Sequence, residues 1–222
     1  MPLLEVIALD AADARAAEEG GADRIEVVAD MSAAGLTPDP AVLTEIRKAT
    51  SLPLRVMLRA NAGFRTDTEE LAGLRRQAGV LVAAGADGFV LGFLDPMDWI
   101  DIEAATQLSG LLPWTFHRAV DHAEDRVAAW ETVRALPGLD QVLTSGHPDG
   151  VGSGLQTLLD RAAGGDANLI MAGGGLLREH VPVLAEAGIT AFHVGSAVRA
   201  GGSWDKPIDT VLVREWVDLV RH

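Results

Sequence analysis

The chain has no cysteine in its 222 residues. Disulfides, thiolate metal sites and cysteine nucleophiles are therefore excluded. Lysine is nearly missing: Lys48 and Lys206 are the only two, and neither lies in a strand-like run. Schiff-base chemistry of the lysine-aldolase kind has no candidate residue. No stretch approaches the ~18–20 apolar residues of a membrane span. The opening Met-Pro-Leu-Leu-Glu has neither the basic region nor the apolar core of a secretory leader. Basic charge is also scarce. Lys and Arg number 18 against 32 Asp and Glu, a net charge of −14. Nucleic acids and anionic membranes need a basic face, so neither is an expected partner. A solvated acidic surface accounts for the excess. The expectation is a soluble, cytoplasmic protein.

What is present is an alternation. Strand-like runs occur at Leu3–Leu9, Arg24–Ala29, Leu54–Arg59, Gly88–Leu94, Pro113–Arg118, Gln141–Ser145, Asn168–Gly173 and Ala191–Val194. Helical patterns lie between them, such as Ala11–Glu19, Thr68–Ala84, Asp125–Leu136 and Leu176–Ala187. Alternation of this kind implies a parallel sheet. A weak repeat supports the count. Gly20-Gly-Ala-Asp-Arg, Ala84-Gly-Ala-Asp-Gly and Ala187-Gly-Ile-Thr-Ala each end a helix and open a strand, with glycine as the left-handed cap. Eight units favour a closed (β/α)8 TIM barrel, one domain over residues 1–222. The G-x-G-x-x-G of a dinucleotide-binding sheet does not follow the first strand.

The last two units carry the clearest ligand signal. Asn168-Leu-Ile-Met-Ala-Gly-Gly-Gly175 and Ala191-Phe-His-Val-Gly-Ser-Ala197 each run from strand into glycine. Loops after the seventh and eighth strands form the usual phosphate site of this fold. Backbone N–H groups of Gly173, Gly174, Gly175 and Gly195, with the Ser196 hydroxyl, are the candidate donors to a small anion.

Polar residues in mid-strand point into the barrel, since the outer face must pack on helices. This places Glu5, Glu26, Arg55, Arg59, Thr115, His117, Thr144 and His193 inside or at the mouth. Glu26 with Arg55 reads either as a paired filling of the barrel or as functional. His117, Arg59 and His193 lie nearer the strand ends, where ligands gather. His117 is a candidate acid or base. Glu5 and Glu26 are candidates to assist it. Arg118 beside it is a candidate anion clamp. Asp121 either orients one of these or caps the next helix. Ser145 and Gly146 follow the sixth strand on the same rim.

These segments together resemble the CutC family, described as copper-homeostasis proteins. The resemblance runs through Leu4-Glu5-Val6, Gly20 to Glu26, Gly35-Leu-Thr-Pro38, Val56-Met-Leu-Arg59, Thr115-Phe-His-Arg-Ala119 with Asp121, Leu143-Thr-Ser-Gly146 and Ile170 to Gly175. It implies a TIM barrel, a cytoplasmic homo-oligomer (dimer or tetramer) and a role in copper handling. The family often carries cysteine, its proposed copper ligands, where this chain has Ile7 and Val28. Copper(I) prefers sulfur ligands, and Met57 and Met171 read as filling of the barrel. Copper thus enters through the resemblance alone, and the residues themselves assign no metal ligand. They point to a small phosphorylated or carboxylated ligand, with an enzyme acting on it as the alternative to copper handling.

Overall fold

A computed structural model describes residues 1–110 and 112–222. Eight parallel strands close in chain order into a barrel. They are β1 (Leu3–Ala8), β2 (Arg24–Val27), β3 (Leu54–Met57), β4 (Gly88–Leu91), β5 (Trp114–Phe116), β6 (Leu139–Thr144), β7 (Ile170–Ala172) and β8 (Ala191–Val194). The barrel shuts where Leu3 to Val6 pair with Ala191 to Val194. Eight α-helices surround it: α1 (Ala11–Gly20), α2 (Pro40–Ala49), α3 (Thr68–Ala84), α4 (Ile102–Leu108), α5 (Arg126–Val133), α6 (Val151–Arg161), α7 (Val181–Glu186) and α8 (Thr210–Arg221). No helix among the described residues is long and apolar enough to cross a membrane.

Side-chain alternation sorts the strands into two faces. Leu4, Val6, Ile25, Val27, Leu54, Val56, Phe89, Phe116, Ile170 and Phe192 join the large core beneath the helices. The lumen holds two small separate clusters: Ile7, Val28, Met57 and Val90, and Leu143, Met171 and Ala191. The expected inward residues Glu5, Glu26, Arg55, Arg59, Thr115, His117, Thr144 and His193 are all buried.

Part of the acidic excess has a local purpose. Asp10, Asp39, Asp67, Asp101, Asp125 and Asp209 accept backbone N–H bonds at the starts of α1 to α5 and α8. A carboxylate there also meets the positive end of the helix dipole. Gly21 and Gly85 take the left-handed conformation after α1 and α3.

Three expectations change. The strands stop earlier than the apolar runs, so Arg59, His117 and Ser145 lie just past strand ends. The segment expected as a helix from Leu176 splits into a 3-10 turn, Arg178–His180, and then α7, with Pro182 at its start. The glycines after β7 therefore open an extended loop and not a helix. Glu26 and Arg55 share a register pair but no salt bridge. Arg55 crosses the lumen to Asp140 instead. Gly88 on β4 makes this possible, because a Cβ there would lie 2.7 Å from Arg55 Cδ.

Candidate functional site

The C-terminal mouth of the barrel opens into a cavity of about 460 Å³. Glu26, Arg59, His117, Arg118, His122, Gly174, Gly175, His193, Gly195, Ser196 and Trp204 reach its wall. The floor is a buried charge network spanning β1, β2 and β8. Arg24 Nε lies 2.5 Å from Glu5 Oε2, and His193 Nδ1 lies 2.8 Å from Glu5 Oε1. His193 Nε2 faces Glu26 Oε2 at 3.7 Å. The other Glu26 oxygen, Oε1, is buried without a partner.

Three of these groups shift one another's pKa values: Glu5, Glu26 and His193. Burial pushes Glu5 up, but the Arg24 charge and the His193 bond outweigh it and hold the carboxyl at about 2. Burial lifts Glu26 to about 7; the negative Glu5 adds to this, while His193 and Arg24 oppose it. Burial disfavours a charged His193, yet Glu26 and Glu5 outweigh it and raise its pKa. Glu5 is thus a fixed anion that orients His193. His193 Nε2 and Glu26 face each other without a direct hydrogen bond, and each raises or lowers the other's pKa by its charge.

His117 stands apart from this network. It begins the 3-10 turn Arg118–His122, and its Nδ1 accepts the Ala119 N–H at 3.2 Å. A neutral ring therefore carries its hydrogen on Nε2, which is buried without a partner. Burial, and next the Arg59 charge, bring its pKa down to about 3. The ring is a neutral hydrogen-bond donor at physiological pH.

The loops after β7 and β8 complete the mouth. Among the described residues, the N–H groups of Gly174, Gly175, Ser196 and Ala197 meet no protein acceptor. All four residues line the cavity. The glycines also make room for their neighbours. A Cβ on Gly173 would lie 2.9 Å from His193 Cβ, and one on Gly174 would lie 2.7 Å from Arg118 Cζ.

This chain matches the CutC family model over residues 3–198. It is 36% identical to CutC of Klebsiella pneumoniae over 197 residues, 87% of this chain and 79% of that one. It is 36% identical to the human copper homeostasis protein cutC homolog, over 86% of this chain and 72% of that one. The chain belongs to the CutC family. The CutC structure from Streptococcus agalactiae superposes with a TM-score of 0.78 at 24% identity, covering 88% of this chain and 98% of that one. Phosphoribosylanthranilate isomerase from Thermotoga maritima shares the fold, with a TM-score of 0.66 at 15% identity over 100% and 99% of the two chains.

Relative to the CutC resemblance, the two cysteine positions are apolar here. Ile7 and Val28 pack together with Met57 and Val90. Among the described residues, no group of three or more His, Cys, Asp or Glu side chains is placed to hold a metal.

The remaining candidates divide by where their polar atoms go. Arg59 is surrounded by carbonyls: Ala33, Ala34 and Gly35 on Nη1, Gly63 on Nε and Ala62 on Nη2. It ties the loops after β2 and β3 together, and Ala34 there is held at φ 59°. Asp121 is fully buried and accepts from Thr144 Oγ1, Ser145 N and Oγ, Gly146 N and Arg118 Nε. It orients Arg118, while Asp125 caps α5 instead. Ser145 and Gly146 face Asp121 and are not on the cavity wall, and neither are Glu5 or Gly173. Arg118 gives Nη2 to Pro148 O at 2.8 Å and keeps Nη1 unengaged among the described residues.

Sequence reasoning missed Arg24, His122 and Trp204. Arg24 was findable: it sits two residues before Glu26 and so shares its face. His122 stacks on Phe64 at 4.7 Å, and Trp204 lies on the long segment between β8 and α8. Neither position has a periodic signal. Trp130 and Trp216 are buried under the helices.

Proposed function

We propose that this chain serves copper homeostasis, the role in its relatives' names, by binding a small carboxylate or phosphate ester at the barrel mouth. The main support is the set of N–H groups on Gly174, Gly175, Ser196 and Ala197, which lack acceptors and line one cavity with Arg118 and His117. Loop amides of this kind make an anion-binding concavity, and the loops after β7 and β8 are its usual place in this fold. The setting is a cytoplasmic homo-oligomer, a dimer or tetramer, as the family resemblance implies.

The residues do not fit a tightly held copper(I) ion. That ion selects thiolate and thioether sulfur, and the chain has no cysteine. The two methionines of the lumen are in apolar clusters, with Met171 Sδ facing Arg24. The proposed ligand is therefore organic.

Native mass spectrometry of freshly purified protein, with elemental analysis, tests this reading. An organic phosphate or carboxylate near unit stoichiometry, without copper, is the expected result. Stoichiometric copper surviving buffer exchange would overturn it. The same spectrum gives the oligomer mass.

A further inference from the structure

Two residues of the cavity wall each carry a buried side-chain atom without a partner among the described residues. One is an acceptor, Glu26 Oε1, and the other is a donor, His117 Nε2–H. Buried polar atoms are satisfied in the great majority of cases, so two such atoms on one cavity call for an occupant with the complementary groups. The complement is a molecule offering a hydrogen to a carboxylate and an oxygen to an imidazole N–H.

Both groups are held for this purpose. The Ala119 amide fixes the His117 tautomer through Nδ1. Arg24 anchors Glu5, Glu5 orients His193, and His193 Nε2 faces the second oxygen of Glu26. Gln141 braces Arg24 from β6 at 2.5 Å. This third-group support is the usual mark of an activated base. Nucleophilic chemistry is poorly served by comparison. The described cavity wall has no lysine, and its one hydroxyl, on Ser196, makes no side-chain hydrogen bond to a base.

We infer that the mouth is a proton-transfer centre acting on a carbonyl compound that carries a carboxylate or phosphate, with Glu26 as base and His117 as the donor to the carbonyl oxygen. The inference rests on the anion-site reading above and names the substrate class for it. In the step, Glu26 takes a proton from the carbon next to the carbonyl. The electron pair of that C–H bond becomes the new C=C bond. The carbonyl π pair moves onto oxygen, where the neutral Nε2–H of His117 stabilises the negative charge. The proton rests on Glu26 and returns to carbon, or exchanges with water first. No oxidant, reductant or co-reactant enters. With a hydroxyl on the adjoining carbon, this is the first half of an aldose–ketose isomerisation. A carboxyl raised and an imidazole lowered in one site suit this division of labour near neutral pH. His193, Glu5 and Arg24 are positioning residues.

The test uses the full chain with two probes, dihydroxyacetone phosphate and pyruvate. Calorimetry measures binding of each probe and of inorganic phosphate. Proton NMR in D2O measures exchange at the carbon next to the carbonyl. The expected result is catalysed exchange of at least one probe. Glu26→Gln should lower it by about 100-fold or more, with affinity changed less than about 3-fold. His117→Gln should act in the same direction. Retained phosphate binding shows that the variants are folded. A probe that binds without catalysed exchange would overturn the inference and leave the anion site standing. Exchange unaltered in Glu26→Gln would also overturn it. If neither probe nor phosphate binds, the anion-site reading falls and takes this inference with it.

Discussion

His193 Nδ1 sits 2.8 Å from the Glu5 carboxylate, while its Nε2 looks at Glu26 from 3.7 Å. Glu5 also holds Arg24, so its charge is settled. Glu26 faces His193 at 3.7 Å with no arginine in contact, and burial raises its carboxyl to about 7.

Glu26 and His117 give stability opposite dependences on pH. Glu26 is raised from 4.5 to about 7, so its contribution is present below pH 4.5 and is lost as pH rises toward 7. His117 is lowered from 6.5 to about 3, so its contribution is present above pH 6.5 and is lost as pH falls toward 3. Between pH 4.5 and 6.5 the two slopes oppose each other. In Glu26→Gln, stability should rise with pH across that window, by up to about 1.4 kcal/mol per pH unit for one proton. In His117→Gln it should fall. Urea melts at steps through the window measure this, and slopes of equal sign in the two variants would refute it.

Arg59 holds two loops through five carbonyl contacts. An ammonium cannot reproduce that fork. Arg59→Lys should cost about 2–3 kcal/mol. It should also speed proteolytic cutting within residues 30–37 and 60–67. Unchanged melting and unchanged cutting would show that the carbonyl cluster contributes little.

Asp121 is a buried anion fed by four N–H and O–H donors and the Arg118 guanidinium. Asp121→Asn turns an amide toward one of those donors and leaves Arg118 unpaired. A loss of about 3 kcal/mol is expected. Affinity for inorganic phosphate should fall with it, because Arg118 loses its orientation. Wild-type phosphate affinity in a stably folded variant would mean that Arg118 is positioned by Pro148 alone.

Gly195 touches Trp204: a Cβ there would overlap the indole and lie 2.9 Å from Ile7 Cδ1. Gly195→Ala should therefore push the Trp204 ring away from the mouth and shift tryptophan emission to the red. The shift should vanish in a Trp204→Phe background. A red shift that persists there would place the disturbance elsewhere.

Much of this protein was legible in its amino-acid order. Eight apolar runs separated by helical patterns determined a parallel barrel, because strand and helix periods are local properties of the chain. The same alternation determined that Glu5, Glu26, His117 and His193 lie inside, since a charged side chain cannot pack against the helices. It also placed the glycine loops after β7 and β8 at the mouth. What those residues touch was decided only by closure of the barrel. Arg55 passes Glu26 and reaches Asp140, because Gly88 clears its path. Arg24 meets Glu5 across 19 residues and Gln141 across 117. Arg59 and Asp121 bond to loop atoms whose positions no periodicity encodes. Strand tilt and lumen packing bring these groups together, and contacts across a lumen depend on every strand between them.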